Sequence, residues 1–412
     1  MTDLPQRVLF LCPARYSLGE VHNAVIAARQ LQHAEIFFCV TKPFESYVCS
    51  AGFPTALWPT GIDALRVVRD QMEAFAPDLV IVADHHVLGI ERNNTVTFAS
   101  LAELVRAPMV TFDSLLFARS VARLQTSVAD LVPEAGLDRW FPETIELPEV
   151  PEGVGILRPA PVACSRHAGA FALYTDAPKH CGRELVRAEI GCRQDEVMVV
   201  LAQSAWARLA FDLVARLNRR SLQPGFHALL VEWLGEAFRR LGRPTRIVMI
   251  GGQDGPDPNP LVAVTRLPTC SNDRFTDIVS AADLYLTDNV TSAGMARAVR
   301  CGTPGAALVN IDSRRSTDEF SARWFDRVGA RFPGFDFPFV VNPFGWRDEL
   351  APLLADNPYF AALPTASIFD MDDVVRTVSA GLGQRDGPAT QALIADQAKL
   401  PSFEQALTGC LA

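Results

Sequence analysis

The chain has 412 residues, 49% hydrophobic and 21% charged, which favours two domains and excludes a disordered chain. Thirty-eight Lys and Arg against 47 Asp and Glu leave a net charge of −9. Neither nucleic acid nor an anionic membrane surface is therefore an expected partner, because both are held by an excess of cationic side chains.

In chain order, short apolar runs alternate with longer stretches at helical spacing, the pattern of parallel α/β units. A strand is expected over 7–12, a helix over 21–31, a strand over 35–40 and a short helix over 44–51. A helix over 62–75, a buried strand over 78–83 (DLVIVA), a helix over 97–105 and a strand over 109–112 continue the rhythm. Prolines at 133, 142, 148, 151, 159 and 161 argue against regular structure across 132–162, which reads as an excursion of the first domain. A second series starts at Glu196, with a strand over 197–202 and helices over 205–217 and 226–241. Strands over 246–250 (ended by Gly251 and Gly252), 261–267, 283–287 and 305–310 follow, with helices over 274–281, 292–300, 317–328 and 371–380. The expected fold class is α/β, with two Rossmann-like domains facing across a cleft where a ligand would bind. Boundaries are set at 1–165 for the first domain, 166–182 for a linker and 183–370 for the second. A helical segment, 371–412, is expected to pack back on the first domain.

Nine cysteines, odd in number and without a C-x-x-C pair, read as small buried hydrophobes of a reducing cytoplasm. The apolar run 8–12 is too short for a signal sequence, and no stretch reaches the roughly 18 apolar residues of a membrane span.

The segment 280–310, SAADLYLTDNVTSAGMARAVRCGTPGAALVN, carries the most specific chemistry. A buried strand ends at Asp288 and Asn289, and the small, hydroxylated turn Thr291-Ser292-Ala293-Gly294 opens a helix. The first N–H groups of a helix lack internal partners and its dipole favours an anion there, so a phosphate fits this turn. An ordinary helix cap explains the same residues without a ligand.

This segment resembles the donor half of GT-B glycosyltransferases of the inverting macrolide and UDP-glycosyltransferase type. The family's glycine pair is replaced here by Ser292-Ala293-Gly294, and its usual Glu by the run Met295-Ala296-Arg297-Ala298. Further pieces fall in family order. RLPTCSNDRFTDIVSAADL resembles the base-holding segment, which implies Leu267, Pro268 and Phe275 as its lining. STDEFSARWFDRVGA resembles the donor signature that places Asp318 and Glu319 on sugar hydroxyls. VMVVLAQSAWA resembles the first strand and loop of the donor domain, which puts Ser204 beside the phosphates. The resemblance makes the first domain the acceptor-binding one and the second the nucleotide-sugar-binding one.

The opening RVLFLCPARYSLGEVHNAVIAARQL resembles the loop beneath the acceptor, where the family keeps a catalytic His directly after Gly. Glu20 stands there, after Gly19, and the nearest histidine is His22. A carboxylate with a suitable pKa can take a proton from an acceptor hydroxyl, and burial is expected to raise that of Glu20. His22 is the alternative base, although a helix turns it toward another face. Glu20 as a first-turn residue favoured by the helix dipole is the structural alternative. Asp84, His85 and His86 follow the strand DLVIVA at a carboxyl end, where α/β ligands gather, and Asp84 or His86 is expected to orient the base or the acceptor. Asp113 is a similar candidate after its own strand. Two adjacent histidines on an extended loop cannot both face one ion, and no Asp-x-Asp stands where a metal would hold a nucleotide sugar, so no metal is expected.

The resemblance implies an inverting, metal-independent glycosyltransferase that moves a sugar from a nucleotide-diphosphate sugar, as co-substrate, to a small-molecule acceptor. No other cofactor, no nucleic acid and no membrane span are expected, and a homodimer is left open. Two other readings remain: an epimerase or hydrolase of nucleotide sugars on the same fold, and a catalytically silent homologue acting as an auxiliary subunit.

Overall fold

Uncharged, β-branched runs such as LVIV and VMVVLA are stable only where both faces of a sheet are covered, and parallel sheets between helices provide that. A computed structural model of the protein describes residues 5–15, 17–61, 63–90, 95–125, 144–175, 182–202, 226–251, 260–309, 315–331 and 356–412. The first unit contains β1 (Arg7–Cys12), α1 (Leu18–Ala28), β2 (Glu35–Val40), α2 (Glu45–Ser50), β3 (Thr55–Leu57) and α3 (Ala64–Phe75). It continues through β4 (Leu79–Val82), α4 (His85–Ile90), α5 (Phe98–Leu104), β5 (Met109–Phe112), β6 (Arg123–Gln125), β7 (Thr144–Glu146), β8 (Gly155–Pro159) and β9 (Ala170–Phe171). Seven of these strands form one parallel sheet in the order β3-β2-β1-β4-β5-β8-β9, and β6 pairs with β7 in a separate antiparallel ribbon.

The second unit runs α6 (Arg183–Ile190), β10 (Val197–Ala202), α7 (Phe226–Arg240), β11 (Thr245–Ile250), β12 (Val262–Leu267) and α8 (Asn272–Ala281). Next come β13 (Leu284–Thr287), α9 (Ala293–Arg300), β14 (Gly305–Val309), α10 (Glu319–Arg331), α11 (Pro358–Ala362), β15 (Thr365–Ser367), α12 (Met371–Gly381), α13 (Pro388–Gln397) and α14 (Phe403–Leu411). Its parallel sheet has the order β12-β11-β10-β13-β14-β15. In both units the first strand sits in the interior, with the sheet growing outward on either side. Val8 pairs with Ile36 and Leu79, and Val199 with Ile247 and Leu284.

The two Rossmann-like units expected from the sequence are present, with three local differences. The proline-rich excursion contributes β8 to the main sheet, because Pro159 is its last residue and removes a ladder donor only at the strand's end. Residues after DLVIVA turn at once into α4 rather than an extended loop. Within the expected helical segment, α14 packs on β8 and β9 of the first unit, while α12 packs against β15 and α7, and α13 against α11. The expected helix over 205–217, together with Ser204 and Gly252, lies outside the described residues.

The second core is built around two indoles whose N–H groups both find backbone partners, as buried Trp requires. Trp233 donates to the Ile368 carbonyl at 2.7 Å and Trp324 to that of Leu229 at 2.9 Å, with ring centroids 4.8 Å apart. The returning α14 is anchored by Phe403, wholly buried between Phe171 and Phe112 at 5.1 and 5.7 Å. Its start is tied by a capping box on Ser402 and by the Phe403 N–H, which donates to the Gln30 side chain at 2.8 Å. Phe403→Ala should cost about 3–5 kcal/mol by opening a cavity at this junction. A lowered urea midpoint is the expected reading, and a loss under 1 kcal/mol would show that α14 is dispensable to the first unit.

Candidate functional site

Every strand of a parallel sheet ends on the same edge, so its following loops gather there, and both sheets turn that edge toward one cavity. Residues after β1 (Ser17 to Glu20, His22, Asn23) and β5 (Ser114, Leu115) meet those ending or following β10 (Ala202), β11 (Ile250, Gly251) and β13 (Thr287, Asn289, Thr291 to Gly294) around about 260 Å³. Tyr47, Thr269, Cys270, Asn272, Phe275 and Tyr285 complete the described wall.

Glu20 reaches this wall from the first turn of α1, with 12% of its side chain exposed. Behind it, His86 Nε2 lies 3.5 Å from Glu20 Oε1, and His86 Nδ1 lies 4.0 Å from Asp84 Oδ1. Those separations suit ion pairs but exceed a good hydrogen bond. Glu20 Oε2 and both ring nitrogens of His86 are accordingly buried without a hydrogen-bond partner. Asp84 is better served. Its carboxylate accepts from the Ser114 N–H at 2.9 Å and the Ser114 hydroxyl at 2.5 Å, and Ser114 Oγ accepts from Asn23 Nδ2 at 3.1 Å.

Electrostatics follow from this burial. Desolvation would raise the Glu20 carboxyl, but neighbouring His86 and the Ser17 hydroxyl outweigh it and hold the group below the ordinary carboxylate value. Burial alone was expected to raise Glu20; the cation behind it reverses the sign. Desolvation likewise works against protonation of His86, yet Glu20, Asp84 and Asp113 raise its pKa above the usual imidazole value. Asp84 is pushed up to about 6, chiefly by burial.

His22 takes another part. Its Nδ1 lies 2.6 Å from the Tyr47 hydroxyl and its Nε2 2.6 Å from that of Tyr174. The Arg297 guanidinium of α9 sits 4.5 Å over the Tyr174 ring. Burial, followed by Arg297 and Arg29, lowers His22 to about 4, so it is neutral and committed to two tyrosines. Asp113 proves structural: it accepts from the Phe117 and Ala118 N–H groups at 2.8 and 3.1 Å and pairs with Arg158 at 2.9 Å. Atoms of Asp84, His85 and His86 do lie within 4.8 Å of one another, because α4 brings the two histidines round. Ser114 already engages Asp84, however, and His85 Nδ1 faces the Phe112 carbonyl at 3.4 Å.

Across the cavity, Ala293 and Gly294 bring the N-terminus of α9 to the wall, and its N-cap Ser292 makes no side-chain cap. The Ser292 hydroxyl instead lies 3.1 Å from that of Tyr285. Thr291 directs both its N–H and its hydroxyl to Asn289 Oδ1, each at 2.9 Å, so that hydroxyl is not a free donor. Gly294 is required sterically, since a β-carbon there would run into the Tyr285 hydroxyl and come within 3.1 Å of Phe275. Phe275 and Asn289 line the cavity, whereas Asp288 is buried and neither Leu267 nor Pro268 is among the lining residues.

Asp318 and Glu319, expected as sugar contacts, are not among the described residues that line this cavity. Asp318 caps α10, accepting from the Ser321 N–H and hydroxyl at 3.2 and 2.8 Å and from Arg240 at 2.9 Å. Burial opposes its ionisation, but Ser321 and Arg240 hold it at about 2. Glu319 pairs with Arg323 along the helix and is 84% exposed. Sequence reasoning passed over Asn23, Tyr47, Ser114, Asn272 and Tyr285. Asn23 was legible as i+3 from Glu20 on one helix face, and Ser114 as the neighbour of Asp113.

A family described as "Family of unknown function (DUF6365)" matches residues 27–408. No curated protein matches the sequence. Among solved structures, the spinosyn forosaminyltransferase SpnP is 15% identical with a TM-score of 0.57, covering 98% of each chain. The spinosyn rhamnosyltransferase SpnG, complexed with spinosyn aglycone, is 14% identical with a TM-score of 0.53, covering 97% of this chain and 99% of that one. SpnG complexed with thymidine diphosphate is 14% identical with a TM-score of 0.51, covering 98% and 99%. At this identity the likeness establishes the fold, which is the GT-B arrangement of two Rossmann-like domains. Among the described residues, no helix is long and apolar enough to cross a membrane.

The buried histidines make acid stability a test of this geometry. His22 and His85 titrate at about 4 when folded, chiefly through burial, against about 6.5 when unfolded. The unfolded chain binds more protons between those values, so stability falls as pH drops through them. Asp84, raised to about 6, works oppositely between 6 and about 4 and offsets one of the two. Tm should therefore decline from pH 6.5 to 4, less steeply in His22→Gln. An unchanged Tm across that window would contradict the buried, neutral His22.

Proposed function

The chain belongs to the DUF6365 family, and we propose that it is a glycosyltransferase that inverts the anomeric carbon. Its co-substrate is a nucleotide-diphosphate sugar, and its acceptor is a small hydroxylated molecule. One observation carries this reading: a cavity-facing carboxylate, Glu20, backed by His86 and Asp84, shares one cavity with the uncapped N-terminus of α9.

The reaction follows from those groups. The diphosphate rests on the first N–H groups of α9, with Ser292 beside them, where the helix dipole stabilises the charge that develops on departure. That terminus meets the need for which other transferases use a metal. Ser204 belongs to this subsite on sequence grounds. The acceptor hydroxyl rests on Glu20 and attacks the anomeric carbon from the face opposite the diphosphate. As the new C–O bond forms, the old one breaks and the attacking oxygen becomes strongly acidic. A carboxylate kept ionised by His86 then suffices to take its proton, in spite of a lowered pKa. Asp84, fixed by two hydrogen bonds from Ser114, places its carboxyl 4.0 Å behind the His86 ring. Phe275, Ile250 and Asn272 offer a flat, mostly apolar wall for the nucleobase. A cytoplasmic setting agrees with eight cysteines that are free among the described residues.

A silent, donor-binding homologue is the competing reading, favoured by the Glu that stands where the family keeps its catalytic His and by the replaced glycine pair at 292–294. The two part on transfer itself. Thermal-shift screening with UDP-, dTDP- and GDP-sugars should find a stabilising donor, because ligand bound to the folded state adds RT ln(1+[L]/Kd). Glu20→Gln should then lower turnover by about 10²- to 10⁴-fold while donor binding persists. A Glu20→Gln enzyme with full activity would remove Glu20 as base. Ser292→Asp should abolish donor binding by setting a carboxylate against the diphosphate, and unchanged affinity would take the phosphate away from α9.

A further inference from the structure

The hydrogen bonds behind Glu20 fix the direction of an amide that the transfer step does not use. Ser114 gives its hydroxyl proton to the Asp84 carboxylate at 2.5 Å. Its oxygen is then left only as an acceptor, so the group facing it on Asn23 at 3.1 Å is the NH₂. The Asn23 carbonyl oxygen is turned away from that chain, buried and without a partner. Asn23 is 6% exposed and lines the cavity, one helical turn beyond Glu20 on α1. Glu20 Oε2 is buried and unpartnered in the same way. A buried acceptor left unmade is costly, and two on one helix face mark a wall that lacks two donors.

We infer that the acceptor carries a second hydrogen-bond donor beside its reacting hydroxyl, as a 1,2-diol does, and that Asn23 is the residue that selects it. The reacting hydroxyl rests on Glu20, and the neighbouring one donates to Asn23 Oδ1. The Asp84–Ser114 chain acts at a distance by denying the amide its flipped orientation. This assignment rests on the glycosyl-transfer reading for the identity of the reacting hydroxyl, but the donor pair itself is a matter of binding.

Calorimetric titration of the full chain with three probes separates the two. 2,3-Dihydroxynaphthalene offers the donor pair, 2-naphthol a single donor, and 3-methoxy-2-naphthol the same bulk with the second donor removed. The diol should bind about three- to tenfold more tightly than either, the worth of one hydrogen bond to a buried acceptor. That ratio should collapse to about 1 in Asn23→Leu, with Asn23→Ala as the second variant should the first not fold. Ser114→Ala should reduce it too, since the amide is then free to turn. Equal binding of the three probes to the native chain, binding of none, or a ratio that survives both Asn23 variants would overturn the inference. A diol preference without sugar transfer from UDP-, dTDP- or GDP-sugars would sink the transferase reading and leave the donor pair standing. Transfer without the preference would do the reverse.

Discussion

Parallel pairing is the constraint on which the site depends. A parallel strand cannot hairpin to its neighbour, so the chain must cross back, mostly through a helix, and restart from the same end. All carboxyl ends, with the loops that follow them, therefore collect on one edge of each sheet. Cys12, Phe112, Ala202, Ile250 and Thr287 end strands on those edges, and the residues at or just after them supply most of the cavity wall. The apolar runs that make the strands so insoluble as isolated segments are what place a few polar side chains together.

The polar cluster on the first edge is arranged by burial and charge together. Three ionisable groups stand in line from the cavity inward, Glu20, His86 and Asp84, and desolvation opposes the charge on each. The outer carboxylate and the imidazole overcome that penalty through one another. Asp84 bears more of it, although Ser114 gives it two hydrogen bonds. The result is a carboxylate at the wall, held below its ordinary pKa chiefly by an imidazole 3.5 Å away.

The seam between the units is made of the same kind of chemistry. His22 on α1 holds Tyr174, the Tyr174 ring lies under Arg297 of α9, and α9 is the helix whose N-terminus faces Glu20. Tyr174 belongs to the stretch that leads out of the first sheet, just beyond β9. Lower down, Asn357 donates to the Val162 carbonyl at 2.6 Å and Ser165 donates to Asp396, joining the two units through α11 and α13. Helix α14 closes the arrangement by carrying the chain's last turns back onto β8 and β9.

Much of this was legible in the sequence, because periodicity reports burial directly. The central strands of both sheets fall within one residue of where their apolar runs placed them, and Thr291, Ser292, Ala293 and Gly294 line the cavity. Asp84 and His86 were named from their position after a strand, and Glu20 from the resemblance of its loop to one that carries a catalytic His. What composition and spacing did not contain was which side chains meet. His22 and Glu20 are two residues apart, yet one is taken up by Tyr47 and Tyr174 and the other by His86, from elements 25 to 152 residues away for the first of them. Asp318 was named from a resemblance to a donor signature, and nothing in its local sequence told that its carboxylate would cap α10 and pair with Arg240, 78 residues away. The sign of the Glu20 shift could not be read either, since burial and a facing cation push it in opposite directions and only the folded chain brings the cation near. Local pattern determines which segments are buried and on which edge their ends lie; long-range contact decides the protonation, the partners and therefore the chemistry of each group found there.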